Sequence, residues 1–346
     1  MTKFSLIYIS LFSFLISLLS FFNIIYSNYF DIFFNIETYI YTFVISFILG
    51  SALFLISQKN VKKITIFEKI LTVLSGYILF PLIISIPYYL SIQNLSFISS
   101  YLEAVSGFTS TGFTVFENIE YIDEDLILWR SSIQWIGGLY FLNSVIFLID
   151  IYDESLKKSL TNFLSFNSSE VIKQAVKIFL LYSGLTFLIF VILNFFGIRL
   201  FNSLNIAMTI ISSGGFLPVN ELSSILTNDL QVIVFSFLML ISFFSIFFTY
   251  NLIFIRNKNL NFFYEDLHLF LYFIVVVSMF FAFFSYDANF TFSFLSIVSS
   301  ISNIGISLDV DQANLNFIYV LLVIIGGSFF STSSGLRFLK IYSLTK

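Results

Sequence analysis

Long blocks of apolar residues without charge dominate the chain. Phe4–Tyr26, Tyr39–Ser57, Val232–Ile255 and Leu269–Tyr286 are four such blocks. Each reaches the roughly 18 apolar residues that cross about 30 Å of hydrocarbon as helix. Strands of a membrane barrel alternate apolar and polar residues at every second position, and these blocks do not alternate. The pattern predicts eight spans, at roughly 4–26, 37–57, 67–91, 126–149, 178–197, 230–255, 267–286 and 315–341. Three shorter apolar segments, about 95–107, 200–212 and 290–302, are too short to span. Their length suits re-entrant helices that enter and leave the bilayer on one side.

The short segments fall into a repeating unit of span, short helix, Gly-containing polar turn and span. The turns read Ser106-Gly-Phe-Thr-Ser-Thr-Gly-Phe-Thr114, Ser212-Ser-Gly-Gly-Phe-Leu217 and Ser302-Asn-Ile-Gly-Ile-Ser307. Non-helical backbone at membrane depth is tolerated only where it is buried or lines water. Its carbonyls can replace the hydration shell of a cation. Glycine permits the left-handed angles that turn successive carbonyls to one side, and a short helix aims its partly negative C-terminus along the same path. Thr109, Ser110 and Thr111 add hydroxyls as candidate ligands.

Charge gives the spans an orientation. The basic residues Lys59, Lys62, Lys63, Lys69, Lys157, Lys158, Lys173, Lys177, Arg256, Lys258 and Lys346 lie in alternate connections, near the span ends that border them or at the C-terminus. The positive-inside rule then places those segments and both termini in the cytoplasm. The opposite side holds Glu103, Glu117, Glu120, Asp123, Glu124, Asp125, Glu221, Asp229, Asp287, Asp309 and Asp311. An acidic mouth concentrates cations, although acidic outer loops also simply obey the orientation rule. Composition agrees: 58% of residues are hydrophobic and 10% charged, where soluble domains carry about a quarter charged. With no cysteine, disulfides, thiol catalysis and thiolate metal sites are excluded. The one histidine, His268, follows Glu265 and Asp266 and reads as a solvated helix start before it reads as a metal site. The first apolar block is longer than a signal-peptide core and lacks a small-x-small cleavage site, so a retained span is expected.

The segment Glu103-Ala-Val-Ser-Gly-Phe-Thr-Ser-Thr-Gly-Phe-Thr114, followed by Leu128-Trp-Arg-Ser-Ser-Ile-Gln-Trp-Ile-Gly-Gly138, resembles the first repeat of the TrkH/KtrB potassium transporters. Ser213-Gly-Gly-Phe216 resembles the second filter of that family and Asn303-Ile-Gly-Ile-Ser307 the third. The stretch Gly326-Gly-Ser-Phe-Phe-Ser-Thr-Ser-Ser-Gly-Leu-Arg337 looks like the loop that interrupts the third repeat's second helix and gates the pore. The family loop is rich in glycine, whereas Phe329, Phe330, Ser333 and Ser334 stand here. The two leading spans resemble the N-terminal hairpin of the TrkH branch.

The resemblance implies an all-α polytopic membrane protein with a K+-channel-like fold. It would comprise a hairpin over residues 1–58, pore repeats over 59–158, 159–258 and 259–346, and no fourth repeat before Lys346. The implied filter is Thr109, Ser110, Thr111, Gly112 and Phe113, then Ser213, Gly214, Gly215 and Phe216, then Asn303, Ile304, Gly305 and Ile306. The implied gate loop comprises Gly326, Gly327, Ser328, Ser331, Thr332, Ser333, Ser334 and Gly335. Potassium is the implied cargo, held at the filter, with no other bound cofactor. The implied partners are the lipid bilayer of a bacterial inner membrane, a second copy of the chain and a cytosolic TrkA/KtrA-like nucleotide-binding ring, without nucleic acid. The alternatives are a non-conducting truncated product or assembly partner of a complete subunit and, more remotely, a membrane transferase using Glu120, Asp123, Glu124 and Asp125.

Several single residues carry expectations of their own. Arg130 is expected to tie the short helix to the outer loop, through Glu103, with Gln134 as a structural neighbour on the same span. Trp129 and Trp135 read as packing or interface anchors. Arg337 and Lys340 either place positive charge near the pore or form an ordinary basic helix end. Asp123, Glu124 and Asp125 read as helix-capping acids.

Overall fold

A computed structural model of the chain describes residues 3–57, 64–151, 171–246, 249, 264–284, 290–306, 308, 316–338 and 340–341. Lys59, Lys62, Lys63, Lys157, Lys158, Arg256, Lys258, Lys346, Asp287, Asp309, Asp311 and Ser307 lie outside the described residues, as do the side chains of Lys173, Glu265 and Asp266. Two units emerge, Met1–Glu154 and Ser155–Lys346.

The first unit opens with a hairpin of α1 (Lys3–Tyr29) and α2 (Ile36–Ser57). Small residues let the two backbones approach. Ser10 donates to the Gly50 carbonyl at 2.7 Å, Ser20 donates to the Tyr39 carbonyl at 2.6 Å, and Gly50 faces the Phe14 ring. α3 (Ile66–Ser91) starts at a capping box of Thr65 and Glu68 and contains Pro81 and Pro87. The Trp129 indole donates to the Ile84 carbonyl between these prolines at 3.2 Å, so Trp129 is a buried packing residue. α4 (Phe97–Phe108) is the predicted short helix, capped by Ser96.

α5 (Glu124–Phe147) is buried almost throughout, from Asp125 to Phe147. It carries Arg130, Gln134 and Asn143, while α2 and α3 expose Phe47, Ile48, Leu55 and Ile78. Apolar side chains outside and polar ones within is the arrangement a lipid solvent favours. Four helical segments among the described residues are long and apolar enough to cross a membrane: Ser5–Tyr29, Phe33–Ser57, Ile66–Ser91 and Gln174–Phe195.

The second unit contains α6 (Val171–Phe195), the short α7 (Leu200–Ser212), α8 (Asp229–Phe243), α9 (Tyr264–Phe284), the short α10 (Phe290–Ser302) and α11 (Asn316–Ile324). α10 packs on α8, with Phe294 and Phe237 rings 5.5 Å apart. Gln231 anchors the start of α8. Its side chain accepts the Thr227 N–H at 2.8 Å and donates to the Phe196 carbonyl at 2.9 Å.

Two predicted spans are interrupted, for one shared reason. The helix of the span expected over 230–255 breaks after Phe243, and that of the span expected over 315–341 breaks after Ile324, where the resemblance places an interrupting loop. After Ile324, β1 (Ile325–Gly326) pairs in parallel with β2 (Leu336–Arg337), enclosing a loop. The Ser328 and Ser333 N–H groups donate to the Phe243 and Ser242 carbonyls at 3.0 and 3.2 Å, and the Ile246 N–H donates to the Phe330 carbonyl at 3.1 Å. Each interruption thus supplies the hydrogen-bond partners the other lacks, as buried irregular backbone requires.

Candidate functional site

The three polar turns share one backbone geometry, residue for residue. Just after each short helix stands a non-glycine residue in the left-handed region: Ser110 at φ 53°, Ser213 at φ 54° and Asn303 at φ 59°. Two residues later comes a glycine in the same region: Gly112 at 79°, Gly215 at 82° and Gly305 at 76°. Left-handed backbone costs an L-residue about 1–2 kcal/mol. Each turn therefore holds one strained position and one that glycine relieves.

Helix-end bonds repeat in the same register. The N–H groups of Thr111, Gly214 and Ile304 return to the carbonyls of Ser106, Thr209 and Ser299 at 2.9, 3.0 and 3.1 Å. These same three residues also support the far side of the turn. The Ser106 hydroxyl donates to the Phe113 carbonyl, and the Thr209 hydroxyl to the Phe216 carbonyl at 2.7 Å. In the third turn the polarity reverses: the Ser299 hydroxyl accepts the Ile306 N–H at 2.7 Å. Sequence reasoning missed this support. Its signal was a hydroxyl residue seven positions before the residue that follows each glycine. In the first turn Thr109 and Thr111 share a hydroxyl–hydroxyl bond of 2.7 Å.

Behind the first turn, Arg130 Nε meets Glu103 Oε1 at 2.9 Å with both side chains buried. Glu103 also accepts the Thr114 hydroxyl and the Val115 N–H, the latter at 2.9 Å. Arg130 donates to Thr114 at 3.1 Å and lies over the Phe116 ring. The pair thereby fastens the chain leaving the turn to both α4 and α5. Gln134 is fully buried one turn further along α5. Gly137 lets the end of α4 approach, since a Cβ there would collide with the Phe108 carbonyl.

The acids at the start of α5 do not act as caps in the expected way. Asp123 stands at the N-cap position without a side-chain cap bond. The carboxylates instead receive donors from the hairpin: Ser27 to Asp125 at 2.8 Å, Asn35 to Asp125 at 2.9 Å and to Asp123 at 3.0 Å, and Tyr26 to Glu124 at 3.0 Å. Asp125 also takes a backbone N–H, that of Leu126.

In the second unit the loop between β1 and β2 meets both remaining turns. Thr332 donates its hydroxyl to the Ile211 carbonyl at 2.7 Å, and the Asn303 amide reaches the Ser334 carbonyl at 3.4 Å. Ser213 donates to the Ser302 carbonyl at 2.6 Å. Ser333 accepts the Gly327 N–H at 2.9 Å and exchanges a hydroxyl bond with Ser331. A Cβ at Gly326 would collide with the Ser334 carbonyl, and one at Gly327 with the Phe243 carbonyl. Gly335 has φ 82°. Phe329 and Phe330 are buried.

Arg337 does not form the expected basic helix end. Its guanidinium turns back onto the loop, donating to the Ser328 carbonyl at 2.8 Å and the Ser331 hydroxyl at 3.1 Å. Its backbone lies in β2 rather than in a helix end, because the loop carbonyls need donors there. Lys340 is exposed. Among the described residues no group of three or more His, Asp or Glu could hold a metal ion.

The fold has a solved counterpart. The potassium transporter TrkH from Vibrio parahaemolyticus superposes with a TM-score of 0.79 over 99% of this chain and 74% of that one, at 17% identity. The chain has the TrkH fold. Sequence relatives point the same way. The Trk system potassium uptake protein TrkG of Escherichia coli is 31% identical over 99 residues, 28% of this chain and 20% of that protein. TrkI of Halomonas elongata is 40% identical over 55 residues, 16% of this chain and 11% of that protein. An uncharacterized cation transporter of Methanocaldococcus jannaschii is 28% identical over 165 residues, 43% of this chain and 33% of that protein. The matched stretches thus span a third or less of these curated relatives. No protein-family model matches the chain. The TrkH-type architecture, all-α and polytopic, is therefore seen from the fold.

Proposed function

We propose that this chain moves potassium across a membrane as the ion-translocating subunit of a Trk/Ktr-type uptake system. Each glycine turn forms one segment of a carbonyl filter: 109–113, 213–216 and 303–306. The observation that carries this reading is the common register of left-handed residue, spacer and left-handed glycine in all three turns. Such backbone presents successive carbonyls to one side, where they substitute for the water shell of a dehydrated cation. The likeness to the potassium uptake proteins TrkG and TrkI and to the potassium transporter TrkH supports potassium as the cargo. The loop over 326–335 acts as the gate in this reading. A second copy of the chain and a cytosolic nucleotide-binding ring are the proposed partners, in a bacterial inner membrane with both termini cytoplasmic.

Rubidium uptake tests the proposal, in cells that lack their own potassium uptake systems and express the 346-residue chain. Membrane insertion is verified separately. Potassium-competed uptake is expected, with loss of discrimination against sodium in Gly215→Ala. No uptake by well-inserted chain would overturn the reading for this chain acting alone. Equal passage of sodium and large organic cations would overturn the filter.

A further inference from the structure

The last carbonyls of a helix have no donor within the helix, and in α7 each of three such groups finds one elsewhere. The Thr209 carbonyl takes the Gly214 N–H, the Ile210 carbonyl takes the Ser213 N–H, and the Ile211 carbonyl takes the Thr332 hydroxyl. The first two donors belong to the turn itself. The third arrives from the loop, 121 residues away in sequence, at 2.7 Å. It is shorter than the bond by which the Asn303 amide reaches the Ser334 carbonyl, at 3.4 Å.

A carbonyl at the C-terminus of a short helix sits at the partly negative end of the helix dipole. Besides a hydroxyl proton, its natural partner is a cation. We propose that the Thr332 hydroxyl is a tethered competitor of the transported cation for the Ile211 carbonyl. The loop rests closed while the hydroxyl holds that oxygen, and a dehydrated monovalent cation arriving there displaces the hydroxyl and loosens the loop. This rests on the reading of the turn as part of a potassium filter. Linkage makes the effect reciprocal: ion occupancy biases the loop toward release, and a released loop raises ion affinity at that oxygen by the same factor. Backbone elsewhere in the loop is bonded to the end of α8, so Thr332 is a point of ion sensitivity, not the only fastening.

The chain has no cysteine, which permits a direct test in membranes with the full chain. Ser328 is 1% exposed, so Ser328→Cys reacts with a charged methanethiosulfonate only when the loop moves. In choline medium, adding Thr332→Val is expected to speed labelling on the order of five-fold, the worth of one neutral hydrogen bond. Thr332→Ser keeps the hydroxyl and is expected to label at the parental rate. Potassium is expected to speed labelling of the parent and to add nothing in Thr332→Val. Where Thr332→Val does not insert, Thr332→Ala takes its place with the same expectation. Parental labelling of the hydroxyl-free variants in choline would overturn the latch, and so would slower labelling of the parent in potassium. The choline comparison needs no ion transport. Faster labelling there alongside absent rubidium uptake would uphold the latch and count against the potassium reading; normal uptake with unchanged labelling would remove the latch alone.

Discussion

Arg130 and Glu103 meet at 2.9 Å with 1% and 0% of their side chains exposed, joining α5 to α4 directly behind the first turn. Removing one member of a buried pair strands the other charge, at a cost of about 3–5 kcal/mol. Arg130→Ala is expected to lower thermal stability in detergent by an amount of that order. The joint replacement Glu103→Leu with Arg130→Met strands neither charge and is expected to recover most of the loss. Equal melting losses in the single and joint variants would show that the interaction itself, and not the stranded charge, dominates.

Gly305 and Gly137 separate two reasons for glycine. A Cβ at Gly305 meets nothing within 4 Å, yet φ is 76°. A Cβ at Gly137 strikes the Phe108 carbonyl. Gly305→Ala is expected to cost about 1–2 kcal/mol, and Gly305→Asn less, because asparagine tolerates left-handed backbone. Gly137→Ala is expected to be the more damaging change, because backbone must move. Melting curves of the three variants check the order.

Asn35 bridges Asp123 and Asp125 from the hairpin at 3.0 and 2.9 Å. Asn35→Asp places a third carboxylate against two and is expected to loosen the hairpin, raising protease cleavage between α1 and α2. Ser27→Ala removes one hydrogen bond to a charged group, worth about 1.5–3 kcal/mol, and is expected to be the milder change. Cleavage of Asn35→Asp at the parental rate would mean that the hairpin is held chiefly by its small-residue packing.

Phe330 is 2% exposed within the loop. Phe330→Ala is expected to cost about 3–5 kcal/mol as a core truncation, concentrated in the loop. Faster amide exchange over 326–335, with the helices unchanged, is the expected signature. Uniformly faster exchange would assign Phe330 to the general core of the unit.

The short helices were legible because length decides them. A dozen apolar residues before a Gly-containing turn cannot span, and the helices found at Phe97–Phe108, Leu200–Ser212 and Phe290–Ser302 lie within about two residues of the segments read from the sequence. The Glu103–Arg130 pair was legible because a charge within an apolar run demands a partner. The end of α8 at Phe243 was not. Ser-Phe-Phe-Ser over 242–245 sits within an unbroken apolar block, and the donors that make the break tolerable come from residues 328 and 333. Asp123 misled for a similar reason: its position suits a cap, but Asn35, 88 residues away, takes its carboxylate. The direction of Arg337 was hidden because the loop carbonyls it satisfies exist only once the chain has folded back.

The mutual pairing between the interrupted end of α8 and the loop has a kinetic consequence. Three backbone bonds, to the Ser242, Phe243 and Phe330 carbonyls, join two segments that are each irregular on their own account. Irregular segments that satisfy one another's backbone groups are expected to part together, so release is expected to be concerted. Motion of this kind is expected to be all-or-none, with a large activation enthalpy and discrete dwell times. The steepness of its Arrhenius plot would measure how many of these bonds part in the same event.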